Sequence, residues 1–295
     1  MYDVAIIGKG PAGLSASIYT ARGGLKTIII GKESGLAKGE IIENYCCSDP
    51  MTGDMLLEKG VQQAKSFGVD MVDDEVISIK RGDTFAISTS ENNYRAKAVV
   101  IATGKARKRI NIDGVSRFEG KGVHYCVTCD GFFYSGLKVG VLGYRDYAVH
   151  EIMELNGITE DITLFTNGQQ PQLDEESSAY LEKKGIRIDK RKIERLEGEN
   201  LLERIVFENG ETQDINGLFI AYGSASSADF ARKLGVLLEG EDIIVDKNQA
   251  TNVEGVFAAG DCTGGVMQVA TAVGQGAVAG QMAKAYVRDR EQVSK

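Results

Sequence analysis

A glycine-rich turn near the start of the chain is the feature that most constrains its fold. Residues 3–7 predict a buried strand that leads into a turn and a helix, and the turn consists of Gly8, Lys9, Gly10, Pro11, Ala12 and Gly13. In dinucleotide-binding folds the first glycine allows a tight bend, the second lets the backbone approach a pyrophosphate, and the third packs the helix against the strand. Glu33 follows the next predicted strand, residues 27–30, where an acid would bind a ribose hydroxyl. These features predict an α/β dinucleotide-binding domain.

A second motif contains reactive groups: Cys126 and Cys129 are separated by two residues, and Asp130 follows directly. A redox dithiol needs one thiolate that attacks, one that resolves, and a group that accepts and returns the proton. Asp130 is the candidate for that group, since the chain has only two histidines. Half of a zinc site would have the same spacing, but no second ligand pair of that spacing exists among the remaining cysteines, Cys46, Cys47 and Cys262. We therefore expect a redox dithiol and no metal site.

The composition argues against several other classes of protein. A length of 295 residues fits two domains, and a net charge of −8 argues against nucleic acid as the main partner. Five cysteines are too few for a secreted disulfide framework, and a close pair within an α/β pattern indicates a reducing compartment. No basic segment precedes the first strand, and no apolar run has the length of a membrane span. We expect a cytoplasmic protein that binds neither nucleic acid nor a membrane.

A second strand–turn–helix unit repeats the first without its cofactor chemistry. Residues 139–143 align with residues 4–8, but Arg145 stands where the first unit has Gly10. A side chain at that position crowds a pyrophosphate, although the arginine could itself hold a phosphate. The next strand, residues 162–165, is followed by neither an acid for a ribose hydroxyl nor an arginine for a 2′-phosphate. The pattern predicts the fold of a nucleotide site without its binding groups.

Two further segments suit a flat cofactor. A predicted strand over residues 98–101 ends in small residues that let the backbone pass close to a ring, Ala102, Thr103 and Gly104. Asp261 closes a later strand, and a helix predicted over residues 267–287 follows it. The N-terminus of that helix offers N–H groups and a positive dipole to an electron-rich ring, and an ordinary buried helix end would give the same pattern.

With these residues identified, the chain resembles the low-molecular-weight flavin thioredoxin reductases along nearly its whole length. The most specific match is the segment around the dithiol, residues 118–134, and further matches follow in the family's order at residues 8–13, 42–45, 102–104 and 255–261. The resemblance implies an α/β fold of two doubly wound, Rossmann-like domains of the FAD/NAD(P)-binding type, the second inserted into the first.

The same resemblance implies a domain arrangement and a reaction. An FAD-binding domain would comprise residues 1–113 and 243–295, and a pyridine-nucleotide-type domain with the dithiol would comprise residues 114–242. The protein would be a homodimer in which the flavin reduces the disulfide and the dithiol reduces thioredoxin. The inserted domain would rotate between those two steps.

The resemblance also implies roles for single residues. Cys126 would attack the partner disulfide, Cys129 would face the flavin, and Asp130 would act as general acid and base. Glu33 would bind the adenosine ribose and Asp261 the ribitol. The other residues implied to contact FAD, from the pyrophosphate to the isoalloxazine, are Gly8, Gly10, Pro11, Ala12, Gly13, Asn44, Ala102, Thr103, Gly104, Gly260, Gln268 and Val269.

The inserted domain departs from the family pattern at both parts of its nucleotide site. Members that use NADPH have glycines where Tyr144, Arg145 and Asp146 stand, and a histidine and two arginines where residues 166–168 stand. The chain is therefore most similar to the pyridine-nucleotide-independent, ferredoxin-dependent branch. Ferredoxins are acidic, and the basic residues 183–192 and 105–109 offer either a docking surface or an ordinary solvated face.

Two other functions stay open on the sequence. The first is a thioredoxin reductase that uses NADPH or NADH through a rebuilt pocket. The second is a flavin-bearing redox sensor or docking protein that turns over no thioredoxin. In that case Cys46, Cys47 and Cys262 are candidate sensing thiols, and otherwise they serve as small buried apolar side chains.

Overall fold

The computed structural model describes residues 1–32, 34, 36, 41–105, 110–223 and 225–293. Its architecture is α/β with two parallel sheets flanked by helices, which confirms the predicted pair of Rossmann-like domains. The chain forms two compact units, the first from Met1–Ala106 with Ser226–Lys295 and the second from Arg107–Ala225. The second unit is therefore an insertion into the first.

The chain returns to the first unit at Ser226, earlier than the sequence-based boundary at residue 243. The helix that begins at Ser227 belongs to the first unit, where the Ser227 hydroxyl donates a hydrogen bond to the Gly104 carbonyl (3.3 Å). Ser226 caps this helix, because its hydroxyl accepts from the Asp229 N–H while the Asp229 carboxylate accepts from the Ser226 N–H.

Both units combine strands with helices. The first stretch contains β1 (Tyr2–Ile7), α1 (Pro11–Arg22), β2 (Thr27–Ile30), β3 (Ile41–Ile42), β4 (Met51–Thr52), α2 (Gly53–Ser66), β5 (Asp70–Val72), β6 (Val76–Arg81), β7 (Phe85–Thr89) and β8 (Asn93–Ile101). The inserted unit contains α3 (Val115–Phe118), β9 (Val123–His124), α4 (Val127–Asp130), β10 (Val139–Leu142), α5 (Asp146–Leu155), β11 (Ile162–Phe165), α6 (Glu175–Lys184), β12 (Arg187–Asp189), β13 (Ile193–Glu197), β14 (Arg204–Phe207), β15 (Thr212–Asp214) and β16 (Gly217–Ile220). The last stretch contains α7 (Ser227–Leu234), β17 (Leu238–Glu239), β18 (Asp242–Ile243), β19 (Val256–Ala258) and α8 (Val269–Val293).

The first unit is built on a sheet with the strand order β5-β2-β1-β8-β7-β6, and β19 also pairs with β8. The strands β5, β2, β1, β8 and β19 are parallel, whereas β6 and β7 join as an antiparallel hairpin. Ile7 of β1 lies between Ile30 of β2 and Ile101 of β8. The carboxyl ends of β1 and β8 therefore meet at one edge, where ligands bind in doubly wound folds.

The second unit has a parallel sheet of its own with the order β12-β11-β10-β16-β9. Its central strands β10, β11 and β16 are buried at every residue and apolar apart from Thr163, as expected of strands covered on both faces. From β10 the chain continues to β11 and β12 on one side, whereas β16 and β9 lie on the other side of β10. The strand order therefore reverses between β10 and β16, and the ligand position of such a sheet lies at the carboxyl ends of these two strands. A small antiparallel sheet of β13, β14 and β15 completes the unit.

Helix α8 packs along α1 at very short distance, which small residues permit. A methyl group at Gly276 would lie 2.1 Å from the Ala12 carbonyl oxygen, and one at Gly280 would lie 2.5 Å from the Ala16 carbonyl oxygen. The helix starts at Val269 and continues to Val293, beyond its predicted end at residue 287. Within the described ranges, no helix is both long and apolar enough to cross a membrane.

The close contact between α1 and α8 can be tested with two glycine substitutions in one helix. Gly280→Ala should destabilise the first unit by about 1–3 kcal/mol, because its methyl group overlaps the backbone of α1. Gly274→Ala, which meets no atom within 4 Å, should stabilise it by about 0.5–1 kcal/mol through helix propensity. Urea unfolding of both variants measures the difference, and equal effects would contradict the packing described.

Candidate active site

Two glycines of the first turn are required by the fold itself. Gly8 has φ of +114°, and a methyl group on it would lie 2.3 Å from the Ala102 carbonyl oxygen. A methyl group on Gly13 would lie 2.0 Å from the Gly8 carbonyl oxygen. β1, the turn after β8 and the start of α1 therefore approach so closely that their backbones touch.

Gly10 is different, because nothing in the described chain requires it to lack a side chain. Its backbone is extended, and a methyl group there would only meet the Ser34 hydroxyl at 3.5 Å. Helix α1 begins directly after it at Pro11, with no side-chain cap and no acid in its first turn. The first N–H groups of a helix have no intrahelical partner, so this end is suited to an anion that comes close to the backbone. The open space at Gly10 thus fits a pyrophosphate.

Other residues predicted to contact FAD lie in the same unit and present polar groups. The Asn44 amide donates a hydrogen bond to Gln268 Oε1 (2.8 Å), directly before the start of α8. The Thr103 hydroxyl is buried without a hydrogen-bond partner within the described chain. A buried hydroxyl that no protein atom satisfies is a feature of a site that a ligand completes. Asp261 starts a 3₁₀ turn that ends before Gly264.

The sequence analysis did not identify Gln275, which supports this region. Its side-chain oxygen accepts a hydrogen bond from the Gly260 N–H (2.8 Å), and Gly260 has φ of +84°. The only signal in the sequence was a polar residue within a helix rich in alanine, valine and glycine. Glu33, the predicted ribose ligand, lies outside the described residues. The described residues fit the dinucleotide part of FAD.

Cys126 and Cys129 form a disulfide at the start of α4. Cys126 caps this short helix and is buried, whereas Cys129 is exposed. The Val127 N–H donates a hydrogen bond to the buried Glu151 carboxylate (3.3 Å). Thr128 donates to Glu154 (2.8 Å), so α5 holds the dithiol loop at two points. The two cysteines therefore differ in access to solvent within one turn that α5 holds in place.

Asp130 belongs to a chain of hydrogen-bonding groups that the sequence analysis missed. His124 Nδ1 lies 3.2 Å from Asp130 Oδ2, and His124 Nε2 lies 2.7 Å from the Tyr134 hydroxyl. The His124 ring also stacks on Phe219, with centroids 5.5 Å apart. Burial, together with the negative charge of Asp130, raises the pKa of Tyr134. A hydroxyl can donate or accept, so the two contacts join the carboxylate, the imidazole and the phenol in one chain whichever ring nitrogen holds the proton.

The only sequence feature that could have pointed to His124 is its position two residues before Cys126. It could not be interpreted without the register that pairs β9 with β16 and brings Phe219 beside it. His124 and Tyr134 thus join Asp130, the residue that directly follows Cys129 and that the sequence analysis named alone as the candidate proton carrier.

Side chains of the second unit meet at its own ligand position. Tyr144, at the end of β10, is buried and packs edge-on against Tyr222, at the end of β16, with ring centroids 5.1 Å apart. The Arg145 guanidinium lies over the Tyr144 ring at 5.6 Å. Two aromatic rings thus meet where a nucleotide would enter between the two strands.

The loop after β11 lies across the same place. The Gln172 N–H donates a hydrogen bond to the Tyr144 carbonyl (2.7 Å), and Gln172 forms an isolated β-bridge with Arg145. The Asp174 N–H donates to the Asp146 carboxylate (2.9 Å) at the start of α5. A carboxylate, not a phosphate, is therefore the anion at this helix N-terminus.

The basic run at residues 183–192 is largely explained by contacts within its own unit. Arg191 forms ion pairs with Asp189 and Glu211, and its guanidinium covers the Phe207 ring at 3.7 Å. Lys192 forms an ion pair with Glu208, and both side chains are exposed. Lys105 forms an ion pair with Asp242 (3.1 Å) in the first unit, and residues 107–109 of the other basic cluster lie outside the described residues. The ordinary solvated face accounts for the longer run.

The three remaining cysteines fall into two environments. Cys262 is fully buried, and its thiol donates hydrogen bonds to the Ala259 and Ile101 carbonyls (3.3 and 3.4 Å). Burial raises the pKa of this thiol to about 12. Cys262 is therefore a small core side chain and not a sensor. Cys46 and Cys47 are exposed, so the apolar-core explanation is wrong for them.

The cradle around the first turn can be tested by comparing two glycine substitutions. Gly10→Ala should preserve the free energy of unfolding of the apoprotein but lower the amount of FAD retained, because only a ligand would meet its methyl group. Gly13→Ala should lower both the FAD content and the free energy of unfolding, because the new methyl group collides with the Gly8 carbonyl oxygen. The loss of stability should be about 1–3 kcal/mol. The ratio of flavin to protein absorbance after gel filtration reports the first quantity, and denaturant unfolding reports the second. A Gly10→Ala variant with full FAD content would contradict this placement.

Comparisons with known proteins agree with this geometry. Residues 2–276 match the family model described as pyridine nucleotide-disulphide oxidoreductase. The thioredoxin reductase of Peptoclostridium acidaminophilum is 35% identical over 97% of each chain. Among solved structures, the atypical thioredoxin reductase TRi from Desulfovibrio vulgaris Hildenborough is 43% identical with a TM-score of 0.95, covering 98% of this chain and 99% of that one.

A ferredoxin-flavin thioredoxin reductase from Clostridium acetobutylicum is also similar, at 29% identity and a TM-score of 0.70, over 99% of this chain and 98% of that one. Thioredoxin reductases of this family depend on FAD, the cofactor predicted from the sequence. The chain belongs to the pyridine nucleotide-disulphide oxidoreductase family and, within it, to the FAD-dependent flavoprotein disulfide reductases of the thioredoxin reductase type.

Proposed function

We propose that this protein transfers electrons from reduced ferredoxin through FAD to the Cys126–Cys129 disulfide, and from the resulting dithiol to thioredoxin. The observation that carries the choice of donor is the filled ligand position of the inserted unit. Tyr144 and Tyr222 pack together where a nicotinamide nucleotide would bind, and Gln172 bonds across the entrance. An NADPH-dependent enzyme would need this space.

The polar groups of the inserted unit support the same choice. Arg145 replaces the glycine that would let backbone approach a pyrophosphate, and Asp146 puts a negative charge at the helix N-terminus. The segment after β11, residues 166–170, has no acid or arginine for a ribose or its phosphate. The similarity to a protein described as a ferredoxin-flavin thioredoxin reductase adds to this support.

FAD belongs to the first unit in this proposal. Gly8, Gly10 and Gly13 form the turn that binds the pyrophosphate. The other residues that the resemblance implies, including Glu33, also contact FAD in this proposal. Asn44 and Gln268, which are hydrogen-bonded to each other, lie along the isoalloxazine with Val269. When FAD is bound, it supplies the two electrons that reduce the disulfide.

The dithiol reaction assigns a different task to each sulfur. Cys129 is exposed in the disulfide state and accepts electrons, whereas Cys126 attacks the disulfide of thioredoxin once reduction has made it a thiolate. Cys126 is buried in the disulfide state, so this attack requires a conformational change that exposes it. A mixed disulfide forms between Cys126 and thioredoxin, and Cys129 resolves it, which releases a thiolate from thioredoxin.

Asp130 supplies and recovers the proton in this exchange. It lies directly after Cys129 and is oriented by His124, whose Nδ1 lies 3.2 Å from the carboxylate. Tyr134 fixes the other side of the imidazole. We also propose a homodimer, on the family resemblance alone, and a cytoplasmic location, on the cysteine usage and sequence patterns described above.

Thioredoxin turnover tests the proposed function. With chemically reduced ferredoxin as donor, the FAD-loaded protein should reduce thioredoxin catalytically, whereas NADPH and NADH should not support turnover. Cys129→Ser should abolish the reaction with every donor but keep FAD bound. Efficient turnover with NADPH would overturn the assignment of the donor, and turnover by Cys129→Ser would overturn the assignment of the dithiol.

The proton chain gives a separate prediction. Asp130→Asn should lower kcat/KM for thioredoxin by roughly 10²–10⁴-fold, the usual effect of losing a general acid–base group. His124→Gln should change the shape of the pH profile of kcat/KM, because the carboxylate loses its imidazole partner. Tyr134→Phe serves as the matched control, since it keeps the ring but removes the hydroxyl, and its effect should be smaller. Identical pH profiles in wild type and His124→Gln would contradict the relay.

A further inference from the structure

Cys46 and Cys47 form a second pair of thiols, adjacent in sequence, that the electron-transfer reaction does not use. They lie between β3 and β4, both are exposed, and their sulfurs are 3.5 Å apart. Cys47 has φ of +66°, a left-handed conformation that is uncommon for residues other than glycine, asparagine and aspartate. Such a backbone outlier is often found at functional sites.

We propose that Cys46 and Cys47 are an oxidant-sensitive dithiol that a hydroperoxide converts reversibly to a vicinal disulfide. One thiolate attacks the peroxide, gains an oxygen as sulfenic acid and releases water or an alcohol. The neighbouring thiol then attacks that sulfur, a second water leaves, and the S–S bond closes. Two thiols lose two electrons and two protons, and the peroxide is reduced by the same two electrons.

The short sulfur–sulfur distance favours closure within the pair. The second thiol is already 3.5 Å from the first, so it can trap a sulfenic acid before further oxidation or an intermolecular reaction. The other cysteines do not compete. Cys262 is buried with a raised thiol pKa, and Cys126 and Cys129 are joined to each other.

The same geometry makes the product easy to reduce. The Cα atoms of adjacent residues are about 3.8 Å apart across a trans peptide, below the roughly 4.4–6.8 Å that disulfides normally span. A disulfide closed across one peptide bond is therefore strained, and strained disulfides have high reduction potentials. A dithiol such as reduced thioredoxin returns the two electrons and reopens the ring.

The position of the pair links its redox state to the neighbouring polar contact. Asn44, two residues before Cys46, donates its hydrogen bond to Gln268 at the start of α8. Closing a ring at Cys46 and Cys47 changes the backbone of the segment that holds Asn44. The proposal of a reversible disulfide itself does not depend on the electron donor or on thioredoxin turnover.

Peptide mass spectrometry of the oxidised protein tests this site. The FAD-loaded protein, with Cys126–Cys129 as the disulfide, is treated with hydrogen peroxide, alkylated under denaturing conditions and digested with trypsin. Residues 39–59 then form one peptide that contains both thiols. The peptide should be lighter by two hydrogens and resist alkylation, and dithiothreitol should restore alkylation at both cysteines.

Single-cysteine variants provide the controls. In Cys47→Ser, Cys46 should stay open to alkylation or proceed to sulfinic acid, whereas Cys262→Ser should leave the vicinal product unchanged. Alkylation of both thiols after peroxide would overturn the proposal, and so would sulfinic acid at both positions in the unsubstituted protein. A disulfide between two chains, seen as a covalent dimer under non-reducing electrophoresis, would also overturn it.

Discussion

The direct backbone contact between the turn after β1 and its two neighbours is the constraint on which the first unit depends. Gly8 touches the turn after β8, and Gly13 touches Gly8, so neither position accepts a side chain. This contact places the N-terminus of α1 at the edge of the sheet and leaves the space in front of Gly10 open. A strand–turn–helix unit can keep the tight backbone contact and lose the open space, because different residues are responsible for each.

The inserted unit is an example of that separation. A methyl group on Gly143 would lie 2.3 Å from the Ala221 carbonyl oxygen, so the tight contact between β10 and β16 is kept. The middle position is Arg145, and the space that a nucleotide would need contains Tyr144 and Tyr222. The fold of a nucleotide domain is therefore retained, while two tyrosines pack against each other at its ligand position. What the unit still provides is a rigid frame for the dithiol, through α5 and the β9–β16 pair.

The parts of the structure that the sequence predicted are those set by local patterns. The first turn, the repeated strand–turn–helix unit and the α/β class all follow from short apolar runs with glycine between them. The chain returns to the first unit at Ser226 and not at residue 243, because α7 joins that unit through tertiary contacts such as that of Ser227 with Gly104. The His124–Asp130 contact was missed because the short segment between β9 and α4 has no pattern that predicts which of its side chains meet, although the two residues are only six positions apart. The Gln172 contact with Tyr144 likewise arises from a loop whose path has no sequence signature.

The most direct measurement is an anaerobic titration of the FAD-loaded protein with NADPH, with calorimetry to detect binding and flavin absorbance to detect reduction. Because Tyr144, Tyr222 and the Gln172 loop lie at the ligand position, we expect no saturable binding and no bleaching by NADPH, whereas reduced ferredoxin should bleach the flavin. Saturable binding in the micromolar range with rapid bleaching would contradict it, and would mean that this unit is a working nucleotide site.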